Sequence, residues 1–348
     1  MENRAHGVRR RLPFRGLKLE AVLKRIPPEF QQRSIAVIMG GPSAEREFSL
    51  RSGLRVLEAL EGLGLKPIGL EADDSLPRRL DQEDIEICFL ATHGGGGEDG
   101  QLQGFLERTG RDFTGARVAG SSLAMNKIAS KALAKTFGLS TPKWELINPS
   151  DSTESIARKS ADRLGFPLVI KPIFGGSSIN VRLVQNLMEF RTTFEELRPL
   201  ECHLMAEAFV EGREFTVSVL EDGQAKAFPL PIMELDPQAL FYDYDTKWNA
   251  ELKDFSVPAE LDKNDTLALE TAGLQLHSGL YQRDLSRSDF IIDKEGQLFY
   301  LETNSLPGLT HNSDLPAQAQ ASGMTFEEVV VSVLMGPVRR RLARLKST

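Results

Sequence analysis

The sequence predicts an α/β protein that opens with a parallel sheet and continues into two α+β units. Three observations predict this. Up to about residue 115, strand-like apolar runs alternate with helical stretches, the pattern of parallel strands joined by crossover helices. Two glycine-rich segments, GGPSAE and THGGGGEDG, follow strands at their carboxyl ends, where open parallel sheets hold ligands. From Met205 onward, strands and hairpin signals dominate.

Residues 34–39 (SIAVIM) read as the first strand, ended by Gly40-Gly41-Pro42, with a helix over about 47–63. LKPIGL near 65–70 is the second strand; the third, 85–91, ends at the glycine cluster, and QLQGFLERTG is the helix after it. Near residue 116 the character changes. SSLAMNKIASKALAKTFG reads as one helix, with Ser121 or Ser122 near its N-cap and Gly138 as terminator. Thr141-Pro142 leads into a strand; ADRLGFPLVIKP is helix end, turn and strand; FGGSSINVRLV is a glycine-rich turn and strand; MEFRTTFEEL is helical. HLMAEAFV is a strand, and REFTVSVLEDGQAKAFPLP a hairpin turning at Asp222-Gly223. A polar loop spans about 241–257 and a helix 262–280. SDFIIDKEGQLFYLETN is a second hairpin, and a closing helix starts near Thr325.

Bulk properties narrow the function. A chain of 348 residues, 41% hydrophobic, supports two or three domains and excludes global disorder. A net charge of −7 argues against a general nucleic-acid binder. No apolar stretch reaches the roughly 18 residues that span a bilayer. Cys88 and Cys202 make no disulfide framework and no Cys/His spacing suggests zinc, so a reducing, cytoplasmic setting is expected. Cys88 sits in the apolar run IEICFL and reads as core. Through Arg33 the chain carries nine Lys/Arg against Glu2, Glu20 and Glu29. Within this arm Leu19, Val22, Leu23 and Ile26 keep helical spacing until Pro27-Pro28. It reads as a solvated arm or a loosely docked helix, with a membrane-surface or partner-binding helix as the alternative, and the run Arg339, Arg340, Arg341, Arg344, Lys346 as a basic tail of the same kind.

The second hairpin carries the most chemistry. If Glu295-Gly296 forms a two-residue turn, Asp289 faces Glu302 and Arg287 faces Asn304. Residues two apart share a face, so all four groups project together. Two carboxylates set opposite each other repel, and with an Asn beside them they suit a hard cation such as Mg²⁺ on a nucleotide phosphate. A solvated charged face is the competing reading, opposed by the buried look of FIID and LFYLE. Lys171 ends the apolar strand PLVIK directly before FGGSS, which suits phosphate binding, although glycine-rich hairpins are common. No G-x-x-x-x-G-K-[ST], G-x-G-x-x-G or G-x-S-x-G occurs. His93 in its strand-end loop is placed to orient a substrate; Glu45, after the first strand, reads equally as a functional or a capping carboxylate.

Together these segments resemble the D-alanine–D-alanine ligases of the ATP-grasp superfamily. The resemblance runs from about residue 34 to 334, through IAVIMGGPSAEREFSLRSG, ATHGGGGEDGQLQGFLE, FTGARVAGSSLAMNKIASK, GFPLVIKPIFGGSS, EGREFTV, FYDYDTK, LSRSDFIID and LETNSLPGLT. It implies an ATP-grasp fold, in which a Rossmann-like N-terminal sheet precedes two α+β domains that clamp ATP. The boundaries are a basic arm 1–33, a substrate domain 34–115, a central lid domain 116–206, a C-terminal domain with the metal site 207–335, and a basic tail 336–348. The implied reaction is ATP-dependent joining of two D-alanines through an acylphosphate, for peptidoglycan synthesis, by a cytoplasmic homodimer.

Residue by residue, the resemblance implies Asp289, Glu302 and Asn304 as ligands of Mg²⁺ (two ions, or Mn²⁺ in their place). Lys127, Lys171 and Lys247 would hold phosphates, and Glu207 and Glu214 adenine and ribose. Arg287 and the Gly308 backbone N–H would stabilise the oxyanion. Glu45 would take the first substrate's ammonium with His93 nearby, Ser177 would belong to an orienting network with Glu45, and Ser313 would bind the second substrate's carboxylate. FYDYDTKW would be the loop closing over the site. Three positions depart from the family pattern: Trp248 replaces a Tyr that completes the orienting network, Asp314 an apolar residue, and Ala208 a Lys. Trp248 and Asp314 therefore bear on the second substrate. An indole donates but cannot accept a hydrogen bond, and Asp314 is expected to point away or to read a cationic group. The alternatives are a ligase of the same kind with another second substrate, or a nucleotide-binding regulator without catalysis; the full set Arg287, Asp289, Glu302 and Asn304 speaks against the regulator.

Overall fold

A computed structural model describes residues 32–148, 151–176, 179–200, 203–235 and 255–346. The arm before Gln32, the loop with Lys247 and Trp248, and Ser177 and Cys202 lie outside the described residues.

The first sheet is parallel throughout: β1 (Gln32–Met39), β2 (Lys66–Glu71), β3 (Ile87–Leu90) and β4 (Asp112–Phe113), in the order β2-β1-β3-β4. Its strands are continuous apolar runs because both faces are covered. Ile35 to Met39 and Ile87 to Leu90 are all buried. Helix α1 (Arg46–Gly62) crosses so close over β1 that a Cβ on Gly53 would collide with the Met39 side chain. Helices α2 (Leu76–Gln82) and α3 (Gln101–Arg108) complete the crossovers.

The single helix expected after residue 120 is two. Asn126 adopts extended backbone between α4 (Val118–Met125) and α5 (Lys127–Thr136), and its side chain accepts from the Ile128 and Ala129 N–H groups as the N-cap of α5. Ser121 is buried inside α4 instead of capping it. The break starts α5 with Lys127 and leaves Lys127 and Lys131 one turn apart on a buried face.

The second sheet is antiparallel, in the order β5 (Trp144–Leu146), β8 (Leu204–Ala208), β6 (Leu168–Pro172), β7 (Arg182–Val184). Helices α6 (Thr153–Leu164) and α7 (Leu187–Leu197) cover one face, where Leu168, Ile170, Leu204 and Ala206 meet Ile156, Phe190 and Phe194. Alternation turns Lys171 and Glu207 to the other face. Glu207 and Ala208 thus finish a strand that the expected boundary at 206 divides.

The third sheet runs β12 (Phe255–Ser256), β11 (Met233–Leu235), β9 (Gly212–Glu221), β13 (Leu285–Asp293), β14 (Leu298–Asn304), with β10 (Ala227–Pro229) also on β9. Helix α8 (Lys263–Gly279) packs Leu269, Ala272 and Leu276 against Phe215, Val217, Phe290 and Tyr300. Helix α9 (Asp314–Ala321) packs on the opposite side, where Ser218 bonds Gln318.

Both hairpin turns differ from the expected two-residue form. Asp293 N–H donates to the Gln297 carbonyl at 3.1 Å, which makes Lys294-Glu295-Gly296 a three-residue loop with Gly296 at φ +80. Asp222 N–H likewise reaches the Lys226 carbonyl at 3.0 Å around Gly223-Gln224-Ala225, with Ala225 at φ +62. In the last hairpin this shifts the pairing near the turn by one residue, giving Phe290 opposite Tyr300. A bulge at Leu301 shifts it back, so that Asp289 faces Glu302 and Arg287 faces Asn304. The anticipated facing pairs are correct, but the bulge produces them. It also turns Glu302 away from the core face occupied by Tyr300.

The closing helix α10 (Phe326–Leu345) starts with a Thr325/Glu328 capping box. The basic run is no solvated tail. Arg340 donates to Asp284 and to the Phe113 carbonyl, Arg341 pairs with Glu86, and Arg344 with Asp112. These arginines tie α10 to the edge of the first sheet and to the start of β13.

The left-handed turn positions give a paired expectation. Ala225→Gly should raise stability by about 1 kcal/mol, because Ala pays a steric cost at positive φ, and Gly296→Ala should lower it by about as much. Urea unfolding of both variants checks this; the same sign for both would contradict the turn geometry.

Candidate active site

Two cavities meet at a pair of neighbouring side chains, Arg287 and Asp314. The first, about 420 Å³, lies between the free face of the second sheet and the third sheet. Val169, Ile179, Val181, Phe209 and Leu235 give it an apolar part; Lys127, Lys171, Glu207, Glu214, Asp289 and Glu302 give it charge. The second, about 440 Å³, lies between α1, the glycine-rich loop after β3 and the start of α9, and includes Glu45, His93, Glu98, Asn304, Gly308 and Ser313. Arg287 and Asp314 line both.

In the first cavity Glu207 bridges two lysines. Lys171 bonds its Oε2, and Lys131 Nζ lies 2.6 Å from Oε1. Burial favours the neutral carboxyl, but the two ammonium groups outweigh it and hold Glu207 below the usual carboxylate range. Burial pushes Lys131 down to about 8 in spite of Glu207. Lys127 Nζ donates to the Gly175 carbonyl at 2.6 Å and lies 3.1 Å from Glu302 Oε2, so it links the glycine-rich turn to the hairpin.

On the hairpin, Arg287 Nε and Nη2 donate to Asp289 Oδ1 and Oδ2 at 2.9 and 3.0 Å. Asp289 also accepts from Thr216 Oγ1 at 2.6 Å and from Asn304 Nδ2 at 3.4 Å. Asp314 Oδ2 lies 3.3 Å from Arg287 Nη1. Burial opposes the Arg287 charge, and Asp289 and Asp314 outweigh it, raising its pKa above the ordinary arginine value. The cationic group that Asp314 reads is therefore an internal one.

In the second cavity, His93 packs on Phe48 with ring centroids 4.8 Å apart, and its Nε2 is 3.0 Å from Ser52 Oγ. Burial pushes His93 down to about 4, so the ring is neutral at physiological pH. Glu98 is raised well above its ordinary value, first by burial and then by the charge of Glu45. A Cβ on Gly176 would lie 3.5 Å from the Glu45 carboxylate, so the glycine-rich turn of the second sheet reaches the first domain's acid. Ser313 Oγ accepts the Thr310 N–H at 3.0 Å, and a Cβ on Gly308 would collide with Phe48 and Ser313, which keeps side chains away from that backbone.

The described residues thus bring together every anticipated site residue except Ser177, Lys247 and Trp248, which lie outside them. Sequence reasoning missed Lys131, Glu98, Thr216 and Ser52. Lys131 follows Lys127 by four residues, a spacing that places both on one helix face; Glu98 stands in the glycine-rich loop already singled out.

A family model for the D-ala D-ala ligase C-terminus matches residues 133–335. A D-alanine–D-alanine ligase of Marinobacter nauticus is 39% identical over 300 residues, 86% of this chain and 90% of that protein. The chain belongs to the D-alanine–D-alanine ligase family. A ligase of Stutzerimonas stutzeri is 37% identical over 310 residues, 89% of this chain and 95% of its own length. Among solved structures, the Bacillus anthracis D-alanine–D-alanine ligase complexed with ATP superposes with TM-score 0.76 at 28% identity, covering 90% of this chain and 99% of that one. The VanG D-Ala:D-Ser ligase of Enterococcus faecalis gives TM-score 0.73 at 25% identity, covering 87% and 99%. The fold is therefore the ATP-grasp fold of these ligases.

The lowered His93 pKa sets a stability expectation. The unfolded ring takes up its proton near its ordinary value of 6.5, and the folded ring only near 4. The stabilisation is complete above 6.5 and is lost as pH falls toward 4, by about 3 kcal/mol in all. Urea unfolding at pH 7 and pH 4 should show wild type losing about that much more than His93→Gln. Parallel losses would contradict a buried neutral ring.

Proposed function

We propose that the protein joins two D-alanines with hydrolysis of ATP to ADP and phosphate, giving D-alanyl-D-alanine for peptidoglycan. The observation that carries this reading is the meeting of the two cavities at Arg287: a nucleotide in one delivers its terminal phosphate where a substrate carboxylate from the other can reach it. Lys127 and Lys171, with Lys247, hold phosphates, and Glu207 and Glu214 the nucleoside. Glu45 holds the first ammonium, with Ser177 in its orienting network and His93 shaping the pocket. A carboxylate oxygen of the first D-alanine bonds to the γ-phosphorus as the β–γ bridge breaks, releasing ADP. The second D-alanine, its carboxylate at Ser313, attacks the acyl carbon with its free amine. The C–N bond forms and phosphate leaves. Arg287 and the Gly308 N–H receive the charge on the tetrahedral oxygen, and because Arg287 is already buried it needs no reorganisation.

The donors fit a divalent cation. Among the described residues no group of three His, Cys, Asp or Glu holds a metal alone. Asp289, Glu302 and Asn304 offer two carboxylates and an amide at facing positions, a hard-oxygen set that phosphate oxygens would complete. Two Mg²⁺ ions, or Mn²⁺, would there neutralise charge developing on the transferred phosphoryl group. The reading carries with it a substrate domain 34–115, a lid domain from 116 to the end of β8 at Ala208, and a metal-bearing domain after it. It also carries a cytoplasmic setting, where ATP and free amino acids are available, and a homodimeric assembly. Among the described residues no helix is long and apolar enough to cross a membrane.

A second reading keeps the chemistry and changes the acceptor. The departures at Trp248 and Asp314 favour it, and the likeness to a D-Ala:D-Ser ligase supports it. Product mass spectrometry with ATP and a panel of D- and L-amino acids decides. D-alanyl-D-alanine as main product supports the first reading, a mixed dipeptide the second, and no dipeptide overturns both.

Two substitutions separate the roles. Arg287→Ala should lower kcat by about 10²–10³ with little change in the KM for ATP. Glu302→Gln should raise the Mg²⁺ concentration needed for half-maximal rate. An Arg287→Ala defect confined to the KM for ATP, or an unchanged Mg²⁺ requirement in Glu302→Gln, would contradict the assignment concerned.

A further inference from the structure

Arg287 is held from two directions. Its Nε and Nη2 form a fork with Asp289, which fixes the guanidinium plane. Asp289 lies two residues further along the same strand and is itself held by Thr216 and Asn304 on the adjoining strands, so it fixes Arg287 within its own sheet. The third nitrogen, Nη1, faces Asp314, and Asp314 is the first residue of α9, a different element. Both carboxylates are buried, with side chains 11% and 7% exposed. The two oxygens of Asp289 also serve Thr216 and Asn304. Asp314 stands at the helix N-terminus, where backbone N–H groups favour its charge.

A second buried carboxylate on an arginine already paired with one is costly in stability unless it is well held. Its place is telling, because Asp314 lines both cavities beside Arg287. We propose that Asp314 is a positioning residue for Arg287. It holds Nη1 from the α9 side and so pins the guanidinium, already forked to Asp289, at the seam between the cavities. The proposal rests on Arg287 stabilising the oxyanion in the reaction proposed above. That interaction exists only near the transition state, so a loosened Arg287 lowers kcat. Asp314 also stands next to Ser313, where its charge repels an acceptor carboxylate. Removing that charge therefore lowers kcat and, in the same variant, lowers or preserves the acceptor KM. General damage to the fold would not tighten acceptor binding.

The test is steady-state kinetics of the full chain with ATP and D-alanine for wild type, Asp314→Asn, Asp314→Glu, Arg287→Lys and the double variant D314N/R287K, with thermal unfolding to verify folding. Asp314→Asn should lower kcat about tenfold without raising the acceptor KM, and Asp314→Glu should restore most of it. In the Arg287→Lys background Asp314→Asn should cost less than about twofold, because it acts through Arg287. The same tenfold loss in both backgrounds overturns the positioning role. So does a raised acceptor KM at unchanged kcat, which would make Asp314 a reader of the substrate. An Arg287→Lys variant at the wild-type rate is a separate failure: it removes the oxyanion role of Arg287, and this inference with it.

Discussion

Burying a guanidinium costs several kcal/mol unless carboxylates go with it. Arg287 lies at the seam of two cavities and meets that cost with Asp289 on its own strand and Asp314 on the start of α9. Much of the third sheet is arranged around this constraint. Thr216 on the neighbouring strand and Asn304 across the hairpin hold Asp289. The bulge at Leu301 brings Glu302 onto the same face, where Lys127 meets it. Without the extra residue Glu302 would point into the core with Tyr300, and the acid face would lose a carboxylate.

The same logic of paired charge extends across the nucleotide cavity. Glu207 sits between Lys131 and Lys171, and Glu302 beside Lys127. Each lysine of this cleft is thus accompanied by a carboxylate. A bound polyphosphate would exchange one set of anionic partners for another, which costs less than charging a neutral cleft. Lys131 differs from Lys171 in being wholly buried, reaching also the Tyr300 carbonyl at 3.3 Å. It therefore ties α5, the second sheet and the third sheet together behind the cavity.

The sequence made the alternating sheet of the first domain legible because period and glycine placement are local signals. It made the acid face of the last hairpin legible because side-chain alternation is a property of any strand. The turn itself is not legible: a three-residue loop and a bulge offset each other, and neither leaves a mark in the apolar pattern. The break at Asn126 was hidden because apolar spacing continues through it, although Asn as N-cap was a readable sign. The arginines of α10 looked like a solvated tail because their partners, Asp284, Glu86 and Asp112, are distant in sequence. Asp314 acquires its role only through a contact between elements, which no spacing within one segment reveals.

The central claim is that the phosphate of one cavity passes to the carboxylate of the other at Arg287. Turnover of D-alanine whose carboxylate carries isotopically heavy oxygen tests it directly. Mass analysis of the released phosphate should show one heavy oxygen per dipeptide formed, because the acyl C–O bond breaks when the second amine attacks. Phosphate free of label, alongside dipeptide formation, would mean that no acylphosphate forms and would contradict the account.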